Sequence, residues 1–133
     1  MVMSLESAGH IFYPLEFASL ETAGYTIQII DVECSRETSQ QAIMNRWQQG
    51  RTDALNATTN SHLGDRWIPR DILSKVFPIP SSISEPERIH DAIAKTHRSV
   101  HSYQLWRRSS PTTAARKEED LVRPTGSSAL IEQ

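Results

Sequence analysis

Residues 45–69, NRWQQGRTDALNATTNSHLGDRWIP, are the stretch on which the fold turns. Read from its start, the stretch is a helix end carrying Trp47 and stopped by Gly50, then a short polar bridge. A compact strand over residues 54–58 follows, and a loop runs through Leu63 and Gly64 to Ile68 and Pro69. A glycine after a periodic run is the usual left-handed stop of a helix. Proline ends the loop because it lacks the amide that a sheet ladder needs. Divided this way, the stretch is a helix–strand–loop unit, the repeating element of an α/β sheet.

Working outward, residues 35–49 supply the helix. Ser35 is its N-cap, Glu37 lies in its first turn, and Ile43 and Trp47 stack one turn apart. Upstream, residues 25–32 (YTIQIIDV) form the best strand of the chain, with Ile27 and Ile29 on one face and Gln28 and Ile30 on the other. Residues 15–23 are a helix ended by Gly24, preceded by a brief strand at Ile11, Phe12 and Tyr13 that Pro14 stops. Downstream, residues 71–77 (DILSKVF) read as a strand ended by Pro78 and Pro80. Ser84 and Glu87 have the spacing of a capping box, with Pro86 in the first turn. Ile89, Ile93, Thr96 and Val100 then recur at helical spacing, which extends this helix to about Tyr103.

The pattern predicts a small α/β domain over residues 1–106. Its mostly parallel sheet has three to four strands joined by crossover helices, and one long helix lies at its C-terminal end. Residues 107–133 are polar and rich in breakers, and are expected to form a disordered tail. One modest core is what 133 residues with 38% hydrophobic content can bury. With 14 basic against 16 acidic side chains, the chain exerts no long-range pull on nucleic acid. Cys34 is the only cysteine, which excludes an internal disulfide and a thiolate zinc site. No basic leader and no apolar run of about 20 residues appears, so an intracellular location, nucleus or cytoplasm, is expected.

Four segments in order carry a resemblance: residues 10–24 (HIFYPLEFASLETAG), 35–50 (SRETSQQAIMNRWQQG), 53–64 (DALNATTNSHLG) and 71–83 (DILSKVFPIPSSI). Together they resemble a degenerate, incomplete second RecA-like lobe of RecQ-type DNA helicases. That family couples nucleotide state to single-stranded DNA through an Ala-Thr strand end and its loop. The resemblance therefore implies contact roles for Thr58, Thr59 and Gly64. The chain departs from the family's loop, where Ser61 or His62 replaces the earlier of two glycines. Residues 85–98 hold no matching Gly-Arg pair. A phosphate-cradling Gly-Lys-Ser/Thr loop and a metal-binding acidic strand are missing too. Without a lysine, Mg²⁺ ligands and an arginine finger, phosphoryl transfer has no charge stabilisation. No ATPase activity and no cofactor are expected, and the enzyme question leans to no.

Outside that block, Arg98, Trp106 and Arg107, with Tyr103 and Arg108, compose a basic-aromatic patch of the kind on which single-stranded bases stack. Placed at a helix end, the same cations also suit a solvated terminus beside the negative end of the dipole. His97 and His101, four apart on the long helix, have the spacing of a metal-chelating pair, with His90 too far along the axis to join them. The competing reading is a row of surface histidines beside the core edge. Cys34 beside Glu33 reads as an idle thiol. Ser109, Ser110-Pro111, Thr112 and Thr113, next to Arg107 and Arg108, are candidate phosphorylation positions.

These readings converge on a non-catalytic, helicase-lobe-like protein that binds single-stranded nucleic acid or a partner protein. The alternatives are a small soluble accessory or interaction protein unrelated to helicases and, more weakly, a small metal- or His-dependent enzyme.

Overall fold

The computed structural model describes residues 13–56, 68–78 and 82–133. The elements run α1 (Tyr13–Thr22), β1 (Ile27–Cys34), α2 (Arg36–Asn56), α3 (Arg70–Val76), α4 (Glu85–Thr96), β2 (Val100–Arg108), β3 (Arg116–Val122) and β4 (Ile131–Glu132). Of the strand expected at Ile11, Phe12 and Tyr13, the first two residues lie outside the described part, and Tyr13 opens α1.

Helix α1 ends as its sequence dictates. Gly24 takes φ +84°, its amide donates to the Glu21 carbonyl at 2.9 Å, and the Tyr25 amide donates to Leu20 at 3.0 Å. These are the two paired bonds of a Schellman stop, which need a left-handed residue at that position. Strand β1 follows with the expected alternation: Ile27, Ile29 and Asp31 are buried, while Gln28, Ile30 and Val32 face outward.

Helix α2 starts where Ser35 accepts the Thr38 amide at 3.1 Å on its side-chain oxygen, an N-cap bond. It does not stop at Gly50 but runs on to Asn56, so Ala54, Leu55 and Asn56 form its last turn and not a strand. A glycine inside a helix costs about 1 kcal/mol relative to alanine. That cost is offset by pairs that straddle it. Gln49 donates to Asp53 at 2.8 Å, and the Arg51 guanidinium lies 5.6 Å from the centre of the Trp47 ring.

The segment expected as a strand over residues 71–77 is helix α3. Leu73 within it and Phe77 at its C-cap are buried and four apart, and Ile72, which a half-buried strand would pair with Ser74 and Val76 on one face, is 44% exposed. Helical period wins over alternation because the two bulkiest side chains lie one turn apart. Asp71 in the first turn and Lys75 in the last complement the helix dipole.

Helix α4 is shorter than expected. It ends at Thr96, and Val100, which completes the apparent helical stripe, begins β2. The reason lies downstream. Arg123 reaches the open carbonyls at the end of α4, its Nη2 donating to Ala94 at 2.9 Å and to His97 at 3.4 Å. A cation on these carbonyls ends the helix and suits its dipole.

The expected C-terminal tail carries β3 and β4 in place of disorder. Residues 116–122 (RKEEDLV) show no apolar alternation, and the strand is held mainly by backbone pairing and polar contacts. The Arg123 amide donates to His101 at 2.7 Å, and β4 pairs antiparallel with β3 through Leu121 with Glu132 and Val122 with Ile131. Between them, Pro124–Ser127 make a β-turn: the Ser127 amide bonds Pro124 at 2.9 Å, with Gly126 at φ +81° in the position that requires it.

The sheet order is β1-β2-β3-β4. Contacts of His101 with Arg123, Gln104 with Asp120 and Trp106 with Lys117 show that β2 and β3 run antiparallel. With β3 and β4 also antiparallel, the single parallel pair is β1 with β2. The sheet is therefore mixed, not mostly parallel, and the neighbour of β1 is β2.

The chain divides into two compact units. The first comprises residues up to Val32, Pro86–Trp106 and Lys117–Gln133; the second comprises Glu33–Glu85 and Arg107–Arg116. In the first unit, Phe17 from α1, Ile27 and Ile29 from β1, Ala94 from α4, and Val100, Tyr103 and Leu105 from β2 form the core. Leu20, Ile93, Leu121 and Leu130 pack at its margin. In the second unit, Leu73, Phe77 and Thr38 are buried.

Candidate functional site

Of the residues singled out by sequence, Thr58, Thr59 and Gly64 lie outside the described residues. Arg98 occupies the turn between α4 and β2, and Trp106 and Arg107 lie toward the far end of β2. A strand rises about 3.3 Å per residue, which puts Val100 and Trp106 roughly 20 Å apart along it. Arg98 and Trp106 thus do not share the helix-end patch that the sequence implied.

The histidine pair separates in the same way. His97 follows α4, with its ring edge-on to Phe17 at a centroid distance of 5.8 Å, whereas His101 is an exposed residue of β2. With no helix spanning both, the one-turn chelating geometry is not formed. Among the described residues, neither histidine belongs to a cluster of three metal-ligating side chains.

Arg98 and His101 instead line a cleft of about 280 Å³ in the first unit. Its floor and walls come from the α1–β1 link (Tyr25, Thr26), the α4–β2 turn and the Pro124–Ser127 turn. Thr26, Ser99, Thr125 and Ser127 also line it, the Ser127 hydroxyl being bonded to Ala129 within its own turn, and Tyr25 is 58% exposed. Arg98 and Arg123 against Glu21 give it a formal charge of +1.

Arg123 is the fixed part of this wall. It is 5% exposed, and besides its bonds to Ala94 and His97 its Nε donates to Val100 at 3.0 Å and its Nη1 to Ser128. A buried guanidinium with its donors used on carbonyls is a structural cation. It shapes the turn, while exposed Arg98 remains the cation that a ligand would meet.

A second polar group was not found by sequence. Asp31, 3% exposed, has its Oδ1 3.1 Å from His90 Nδ1 and accepts the Tyr103 hydroxyl on Oδ2 at 3.4 Å. Burial pushes the Tyr103 phenol well above its usual value, and the Asp31 charge adds to the shift. Tyr103 therefore stays protonated and donates. Only the alternation of β1 could have revealed it, since it turns Asp31 to the same face as Ile27 and Ile29.

On β2 and β3, Trp106 Nε1 donates to Gln104 at 3.2 Å and Gln104 to Asp120 at 3.1 Å. Lys117 bonds Asp120 and lies 5.7 Å from the centre of the Trp106 ring. The hydrogen bonds from Lys117 and then Gln104 hold the Asp120 carboxyl below the usual range. Trp106 is thereby engaged within its own sheet. In the second unit, the Cys34 thiol is pushed up by burial and then by the Glu33 charge, against the opposing pull of Arg108 and Arg107. The thiolate is disfavoured, in keeping with an idle cysteine.

No protein-family model, no curated protein and no solved structure matches this chain.

Proposed function

We propose that this protein is a non-catalytic binding module that takes one phosphate of a single-stranded nucleic acid into the Arg98 cleft. The observation that carries this reading is that exposed Arg98, the hydroxyl-bearing residues Thr26, Ser99 and Thr125, and exposed Tyr25 line one concavity of about 280 Å³. That volume is at the small end for ligand sites and suits one nucleotide unit. Arg98 and the hydroxyls meet the phosphate oxygens, and Tyr25 offers a face on which a base stacks.

Charge sets the strength of this binding. With a cleft charge of +1 and a chain charge of −2, the protein neutralises one phosphate and has no field to steer a polymer. Binding is expected at a Kd of roughly 10⁻⁴ M, the weak end of non-specific association, with a salt slope of about 0.7. The 133 residues contain no Gly-Lys-Ser/Thr loop, which supports binding without ATP hydrolysis. The helicase-lobe ancestry is a separate proposal. Of two strands on which its order rested, the described part of the first (residues 54–56) falls on α2 and the second coincides with α3, so the binding reading stands on the cleft alone.

Fluorescence anisotropy with a short labelled oligonucleotide tests it. Saturable binding that weakens with salt and is lost in Arg98→Ala supports the reading; binding indifferent to both removes it.

A second reading, a partner-protein module, is favoured by β1. This strand lies at the sheet edge and turns Ile30 (58% exposed) and Val32 (63% exposed) outward. Edge strands pair readily with an added strand.

A further inference from the structure

The β2–β3 connection, residues 109–115 in the second unit, reads SSPTTAA and carries four hydroxyls and no charge. Arg107 and Arg108 precede it and Arg116 follows it. Thr113 Oγ1 gathers the loop. It accepts the Ser110 amide at 3.1 Å, and the hydroxyls of Ser109 and Ser110 each lie 3.2 Å away. The base of the loop is tied to α2, where Thr38 Oγ1 donates to the Ser109 carbonyl at 3.3 Å while Ser35 Oγ donates to Thr38 at 3.0 Å. The loop thus hangs on the capped N-terminus of a 21-residue helix.

We propose that Ser110 is a phosphorylation site for a proline-directed serine/threonine kinase, and that the added phosphate tightens the loop onto α2. Pro111 supplies the residue such kinases read, and among the described residues the Ser110 hydroxyl is bonded to exposed threonines at 3.2 and 3.4 Å, so releasing it there breaks no buried contact. In the transfer, the γ-phosphorus of ATP forms a bond to Ser110 Oγ and its bond to the β-phosphate oxygen breaks. The hydroxyl proton passes to the kinase base and ADP leaves. The product dianion lies in a loop flanked by Arg107, Arg108 and Arg116, next in sequence to the carbonyl held at the α2 N-terminus. Both environments favour negative charge.

The test incubates the full chain with ATP, Mg²⁺ and a purified proline-directed kinase, maps phosphate by mass spectrometry, and compares melting temperatures before and after. The expected result is one phosphate on Ser110, incorporation at least about tenfold lower in Ser110→Ala, and a melting temperature raised by roughly 1–3 °C. In Arg108→Ala, incorporation should persist while the rise shrinks. Ser110 left unmodified while a control peptide is turned over, or phosphate confined to Ser109, Thr112 or Thr113, overturns the site. A lowered melting temperature on modification overturns the tightening.

Discussion

Arg123 and Tyr103 are where single side chains decide the most. Arg123 spends its donors on the carbonyls of Ala94, His97, Val100 and Ser128. Arg123→Ala leaves several buried acceptors unmet and should cost about 2–4 kcal/mol, read by urea unfolding at neutral pH. Tyr103 makes a claim about pH. Its folded-state pKa is raised above the ordinary value near 10, so the stability it contributes is complete below that value. As pH rises past it, the unfolded chain ionises and the folded chain does not, and stability falls by up to about 1.4 kcal/mol per pH unit. Unfolding measured between pH 9 and 11, about the phenol's ordinary value, should show this loss in the native chain and a flatter profile in Tyr103→Phe. An equal slope in both would show that Tyr103 is not the group responsible. Neither residue was legible in the sequence as a structural centre, because the Asp31 partner of Tyr103 and all of Arg123's partners but Ser128 lie more than twenty positions away.

At the scale of elements, the glycines separate what the sequence could and could not say. Gly24 and Gly50 both follow helical runs and read alike, yet Gly24 is left-handed and Gly50 is helical. Gly24→Ala should cost about 1 kcal/mol by backbone strain alone, since a Cβ there meets nothing within 4 Å. Gly50→Ala should instead stabilise α2 by about 0.5–1 kcal/mol. Thermal unfolding of the two variants gives shifts of opposite sign if α2 passes through Gly50. The other misreadings have the same origin: a local period that tertiary contacts overrule. Residues 71–77 are β-branched enough for a strand, but Leu73 and Phe77 select a helix. Val100 continues a helical stripe, but Arg123 ends that helix before it. Residues 116–122 lack an apolar face and still form β3. Strand β1 was legible in its alternation, which agrees with its burial, but it runs Ile27–Cys34 and not over residues 25–32. Its outward Ile30 and Val32 carry a further expectation: Ile30→Lys should reduce any concentration-dependent self-association seen by sedimentation velocity.

For the whole molecule, composition limits function more tightly than fold does. The chain is nearly neutral and exerts no long-range pull on a polyanion, so the proposed nucleic-acid contact is local to one cleft. Sequence named two of the cleft residues, Arg98 and His101, but assigned them to different sites on one long helix. The cleft exists because that helix stops, the chain turns at Arg98, and a second turn at Pro124–Ser127 comes up beside it. Such convergence of segments some twenty-five residues apart leaves no periodic trace in sequence. The helicase likeness stays a proposal from sequence: segments read as strands at residues 54–56 and 71–76 are helical, and the candidate contacts at Thr58, Thr59 and Gly64 lie outside the described residues.

The central claim is that Arg98 presents a phosphate site, and a titration of labelled single-stranded oligonucleotide across salt tests it most directly. The account predicts saturable binding near 10⁻⁴ M at low salt, a log–log salt slope of about 0.7, and loss of binding in Arg98→Ala without loss of fold. No saturation at millimolar protein, or binding that persists in Arg98→Ala at every salt concentration, contradicts it.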